Sequence, residues 1–83
     1  MELRFHDDNL GKHNVTPSEV EEALNDSEGW TERTKNDAYL SVGKTFGGRF
    51  LEICYRKLPE GHAFVFHAMD ARDHQKKRYN KRI

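Results

Sequence analysis

Three stretches of the chain carry the apolar density expected of strands, and turn residues bound each of them. In Tyr39 to Thr45, Leu40 and Val42 fall on one side. In Arg49 to Arg56, Leu51, Ile53 and Tyr55 share a face. Ala63 to Met69 is dense in Phe64, Val65 and Phe66. A period of two over such lengths predicts β-strands. Residues 2–6 and Trp30 to Thr34 read as shorter strands. Phe46-Gly47-Gly48 predicts a hairpin turn, Lys35-Asn36-Asp37 a second turn, and Leu58 to His62 a longer loop. Asn9 to Asn14 reads as a helical turn or a loop.

Two segments read as helices. Thr16-Pro17-Ser18-Glu19 opens the first. Thr16 can cap, proline suits the first helical position, and Glu19 completes a capping box. Val20, Ala23 and Leu24 then share a face, and Asp26, Ser27 and Gly29 end the helix. Arg72 starts the second, which runs into a basic tail. The order is β-α-β-β-β-β-α with short connections, and short turns make consecutive strands antiparallel. The pattern predicts an α+β fold, a small antiparallel sheet with helices packed on one face. Residues 1–83 read as a single domain, without repeat or linker.

Composition narrows the class. The chain has 83 residues, of which 35% are apolar and 34% charged. The charged share exceeds the roughly 25% of average globular chains, so the core must be thin. No apolar run approaches the roughly 18 residues of a membrane span. The opening Met-Glu-Leu-Arg-Phe-His-Asp-Asp is too polar for a signal peptide. The single cysteine, Cys54, can form neither an internal disulfide nor a multi-cysteine zinc site. These features predict a cytoplasmic protein without a membrane partner.

The net charge of zero hides an asymmetry. Residues 1–38 hold ten acidic and four basic side chains; residues 39–83 hold four acidic and ten basic ones. Lys76 to Arg82 carries basic groups and no acid. Such a split suits a polyanion or an acidic partner. It equally suits two solvated faces that attract each other.

No nucleotide-binding or metal motif is present. Phe46-Gly47-Gly48-Arg49 lies in neither GxxxxGK[ST] nor GxGxxG, and the histidines form no HExxH or other ligand set. No metal or cofactor is expected. Cys54 lies inside a strand and reads as an inert buried thiol. What remains is a dispersed set: Lys12, His13, Arg49, His67, Arg72 and the basic tail with Tyr79. Arg49 begins one strand, His67 ends another and Arg72 opens the last helix. Guanidinium groups grip phosphate bidentately and stabilise developing negative charge. Imidazole moves protons near neutral pH. In RNA the 2′-hydroxyl is a built-in nucleophile, so a protein need only position it, deprotonate it and stabilise the transition state. As ordinary structure, His67 is a polar side chain at a sheet edge and Arg49 a charge flanking a turn.

The order of these motifs resembles the BrnT (DUF497) family of toxins from type II toxin–antitoxin systems. Asn9 to Leu24, with its Lys12-His13 pair and helix start, is similar to the family's opening "N…KHgVt.eEvEea". Tyr39 to Thr45 with Gly48-Arg49-Phe50-Leu51 is similar to "ry.viG.t..GRlL". Ala71-Arg72 followed by Lys77-Arg78-Tyr79 is similar to the closing "iR.isAR…ER..Y". The resemblance spans nearly the whole chain and implies a RelE-like fold. It implies a ribonuclease toxin held inactive by a cognate antitoxin in a hetero-oligomer, and the arginine and histidine chemistry above leads us to expect that it works without a metal. Residue by residue, the resemblance matches Lys12 and His13 to the family's Lys-His pair, Arg49 and Arg72 to its two arginines and Tyr79 to its closing tyrosine. With the phosphate chemistry above, catalysis is expected at Lys12, His13, Arg49, His67 and Arg72, and RNA binding at Lys76, Lys77, Arg78 and Tyr79. Two departures stand out. His67 replaces a common arginine, and Lys76-Lys77-Arg78 stands where the last helix often has a glutamate before its arginine. A non-catalytic module that binds a partner protein or RNA is the alternative. Action on DNA gyrase, known among RelE/ParE-like proteins, has no residue here that favours it.

Overall fold

A computed structural model describes residues 2–5 and 13–81. Its elements are β1 (Glu2–Phe5), α1 (Pro17–Leu24), β2 (Trp30–Arg33), β3 (Ala38–Lys44), β4 (Phe50–Lys57), β5 (His62–Asp70) and α2 (Asp73–Asn80). The strands form one sheet in the order β1-β5-β4-β3-β2. The α+β class expected from the sequence is the one the chain adopts. The sheet is mostly antiparallel: β2 to β5 form a meander, and β1 joins the β5 edge in parallel, Glu2 opposite His62 and Phe5 opposite Val65.

Local chemistry explains the boundaries. The Thr16 Oγ1 accepts from the Glu19 amide at 3.2 Å, and the Thr16 amide donates to Glu19 Oε1 at 3.0 Å. This reciprocal pair satisfies two orphan donors at the start of α1. The β3–β4 hairpin closes with the Thr45 amide on the Arg49 carbonyl at 2.8 Å, and Gly48 takes the left-handed conformation (φ 91°) that the turn requires.

The sheet is covered on both faces, which corrects the expectation that its helices share one. Strand alternation turns Ser41, Gly43, Leu51 and Ile53 toward α1, where Val15, Val20, Ala23, Tyr55, Ala63, Val65 and Ala68 complete the main core. Gly43 is where α1 comes closest: a Cβ there would lie 2.0 Å from the Ala23 carbonyl oxygen. The opposite face carries Trp30, Val42 and Ala71 with Leu40 and Phe50, and α2 lies over it. Tyr79 fixes α2 there. Its hydroxyl donates to Asp26 Oδ2 at 2.7 Å, and its ring meets Phe50 edge to face at 5.0 Å. Burial and Asp26 push the Tyr79 phenol up to about 12. Asp26 also accepts the Lys44 amide at 2.9 Å, so one carboxylate ties α2 to β3.

Candidate functional site

The α2 face holds a polar centre built around Glu52. In β4, Glu52 and Cys54 are two residues apart and therefore on one side of the strand. His67 of β5 lies directly opposite Cys54. The β4–β5 pairing shifts register between Cys54 and Tyr55, because β5 has an extra residue there. This bulge lets Val65 and Ala68, three apart, both enter the main core while His67 stays with Glu52. The Ala71-Arg72 link then turns the chain at the end of β5 and brings α2 across.

The Glu52 side chain is 6% exposed and makes three contacts. Its Oε2 lies 2.8 Å from His67 Nε2. Its Oε1 accepts from Gln75 Nε2 at 2.6 Å and lies 3.5 Å from Arg72 Nε. Burial opposes ionisation, but the hydrogen bonds from Gln75 and His67 and the Arg72 charge outweigh it, so the carboxyl lies below its ordinary range. A buried charge with this much compensation persists as a carboxylate. An ionised carboxylate only accepts, so the hydrogen on the Glu52–His67 bond belongs to His67 Nε2. In neutral His67 that leaves Nδ1 as the ring's acceptor. The His13 ring meets the His67 ring edge to face, centroids 5.9 Å apart. One buried anion therefore joins the His67 imidazole and the 62% exposed Arg72 side chain, with the His13 ring against His67.

Arg49 does something else. Its Nε donates to Asp70 Oδ1 at 2.6 Å, Nη1 to the Asn14 carbonyl at 2.8 Å and to Glu19 Oε2 at 3.2 Å, and Nη2 to the His13 carbonyl at 3.2 Å. Its donors point at protein acceptors on α1, β5 and the segment before α1. Asp70 and Glu19 hold the guanidinium above its ordinary value, and Arg49 holds Asp70 below its own. Arg49 fixes the backbone of His13 rather than presenting an open fork to phosphate.

The other expected contacts divide. Lys12 lies outside the described residues, as do residues 6–11 and Arg82. Lys77 is exposed and Lys76 half-buried. Arg78 stacks 3.8 Å from the Trp30 ring centroid and pairs with Glu32 at 3.2 Å. Tyr79, expected to contact RNA, is 2% exposed and anchors α2, so its ring has no face to offer a base. Glu52 was absent from the expected set. Its signal in the sequence was that Phe50, Cys54 and Val42, on the same side of the sheet, are not solvent-facing residue types.

Metal-ligand spacing is absent along the chain, yet the fold gathers Glu52, Cys54 and His67 with donor atoms all within 4.8 Å of one another. Burial and the neighbouring Glu52 charge push the Cys54 thiol up to about 11. Among the described residues no helix is long and apolar enough to cross a membrane.

No protein-family model matches the chain, and no curated protein does. Among solved structures, the crystal structure of the Brucella abortus ribonuclease toxin BrnT superposes with a TM-score of 0.69 over 88% of this chain and 99% of that one, at 16% identity. This chain is therefore similar in fold to BrnT across almost all of that protein's length.

Proposed function

We propose that the chain is a toxin-type ribonuclease whose acid–base centre is the His13–His67 pair, with Glu52 orienting His67 and Arg72 holding the scissile phosphate. The observation that carries this reading is the cluster around Glu52: a buried carboxylate on His67 Nε2, a second imidazole against the first, and a half-open guanidinium on the other oxygen of the same carboxylate. The fold likeness to a protein described as a ribonuclease toxin supports the same reaction class.

The chemistry follows from the donors. His67 Nδ1 takes the proton of an RNA 2′-hydroxyl as that oxygen attacks the adjacent phosphorus. His13, as imidazolium, gives a proton to the departing 5′-oxygen. Arg72 stabilises the charge that builds on the phosphate oxygens. A cyclic phosphate and a 5′-hydroxyl result, and no step calls for a metal. Lys12, Lys76 and Lys77 attract the RNA backbone. A cognate antitoxin covers this face in a hetero-oligomer in the cytoplasm. Arg49 positions His13 and does not touch substrate.

The test is RNA cleavage in EDTA by the wild type and by Arg72→Ala, with thermal unfolding recorded for both. Arg72 is largely exposed, so the variant should fold. Cleavage by the wild type and its loss in the folded variant is the expected result. A folded wild type that leaves RNA intact overturns the reading in favour of a module that binds a partner or RNA without cutting.

A further inference from the structure

We propose that Glu52, Cys54 and His67 form a binding site for a borderline-soft divalent transition ion, Zn²⁺ above all, and that the bound ion shuts the acid–base centre. The site itself stands on geometry; the inhibition rests on the ribonuclease reading.

The three donors come from a simple backbone device. Residues two apart on β4 place a carboxylate and a thiol on one side, and the cross-strand partner of the thiol is an imidazole. Directly opposite positions in an antiparallel pair hold their Cβ atoms about 4.5–5.5 Å apart, so the side chains converge without loop flexibility. All three donor atoms lie within 4.8 Å of one another. Tetrahedral zinc with bonds of about 2.0–2.3 Å needs donors roughly 3.4–3.7 Å apart. The 2.8 Å Glu52–His67 contact must open slightly and any longer separation close, both within reach of small side-chain rotations.

The donor chemistry selects the ion. One sulfur, one nitrogen and one oxygen suit Zn²⁺, Co²⁺ or Ni²⁺, whereas Mg²⁺ and Ca²⁺ want oxygen alone. The outer contacts are of the right kind. Gln75 donates to Glu52 Oε1 and leaves Oε2, the oxygen nearer His67, for the ion. Such outer hydrogen bonds orient metal-binding carboxylates. Arg72 is the opposing charge at this spot, and its exposed side chain can swing toward solvent. Water can fill the fourth position of a tetrahedral ion held by three protein ligands.

Binding proceeds without redox change. Cys54 releases its thiol proton to solvent and gives a sulfur lone pair. His67 gives the Nε2 lone pair in its Nδ1-protonated tautomer, and Glu52 gives one carboxylate oxygen. Nδ1 of that tautomer carries a proton and can no longer take one from a 2′-hydroxyl. Occupation therefore removes the base that cleavage needs.

The probe is Co²⁺ alone, titrated into the purified full chain and followed by absorption, then displaced with Zn²⁺. The expected result is one ion per chain, a thiolate-to-cobalt charge-transfer band and the strong visible bands of four-coordination. Cys54→Ala should abolish the charge-transfer band. His67→Ala should weaken binding by more than the roughly 10–100-fold that loss of an outer contact costs. Cobalt that binds without a thiolate band, or with equal affinity in Cys54→Ala, overturns the site. In the cleavage assay, Zn²⁺ should inhibit the wild type at stoichiometric occupancy and spare Cys54→Ala, which keeps His13, His67 and Arg72. Activation by Zn²⁺ would overturn the inhibitory role. If the wild type never cuts RNA, the ribonuclease reading fails while the cobalt spectrum still decides the metal site.

Discussion

Removing Arg49 separates two roles that one arginine can play. As a phosphate ligand, its loss would cripple cleavage and leave stability almost untouched. As a clamp, its loss should unfasten the segment before α1. The guanidinium is 28% exposed and spans four protein acceptors. The Asp70 partner is 65% exposed, so that ion pair is worth only a few tenths to about 1 kcal/mol. The Asn14 and His13 carbonyls and the less exposed Glu19 are worth more, although solvent screens part of each. A total of about 2–3 kcal/mol is the consistent estimate for Arg49→Ala. In a domain of this size that lowers the melting temperature by roughly 8–24 °C. Arg49→Lys keeps the charge but presents one compact donor group to acceptors on three elements, so it should recover less than half of the loss.

The assay is thermal unfolding beside RNA cleavage, with cleavage measured where every variant is folded. A clamp predicts that kcat falls as His13 loses its place while KM moves little. Asn14 holds a positive φ of 54°, and release of that turn should appear as increased proteolysis there. The reasoning is refuted if Arg49→Ala melts within about 0.5 kcal/mol of the wild type and its KM rises steeply.

Other substitutions test the fold. Gly43→Ala places a methyl 2.0 Å from the Ala23 carbonyl oxygen, so it should cost more than the roughly 1–3 kcal/mol of ordinary overpacking, as read by denaturant unfolding. Tyr79→Phe leaves Asp26 without its phenolic donor and should cost about 1.5–3 kcal/mol. Because the folded Tyr79 phenol is raised to about 12, its contribution is whole below its ordinary 10.0 and lost as pH rises toward 12; an alkaline stability profile of Tyr79→Phe should lack that fall. At the acid end, Glu52 and Asp26 are both held below their ordinary values of 4.5 and 3.8. Their contribution is present above those values and lost as pH falls through the folded ones, so acid titration should show Glu52→Gln to be less sensitive than the wild type.

The legible part of this chain was local. The Thr16–Glu19 box, the glycine hairpin and the alternation of Leu51, Ile53 and Tyr55 each act over a few residues, and each element stands where those signals put it. The parallel seat of β1 was not legible, because nothing within four residues specifies a partner sixty positions away. The face chosen by α2 was hidden for a different reason. Its buried residues are Gln75 and Tyr79, which a hydropathy pattern reads as solvent-facing.

That second failure also hid the centre of the site. Glu52 sits between Leu51 and Ile53, and alternation alone sends such a residue to water. It is buried because α2 lies over the other face, and it stays charged because α2 brings Gln75 and the turn before it brings Arg72. Charge and burial thus arrive from one long-range packing event: within β4, Phe50 and Cys54 hint that the second face is covered, but nothing there names Gln75 or Arg72 as partners. Arg49 shows the converse. Its neighbours Gly48 and Phe50 say only that it flanks a turn, and the general chemistry of guanidinium cast it as a phosphate ligand. Its acceptors come from residues 13–19 and from Asp70, and they tie the guanidinium to the backbone at His13 and Asn14. In both cases residue type was readable and role was not, because role was set by partners that only the folded sheet brings within reach.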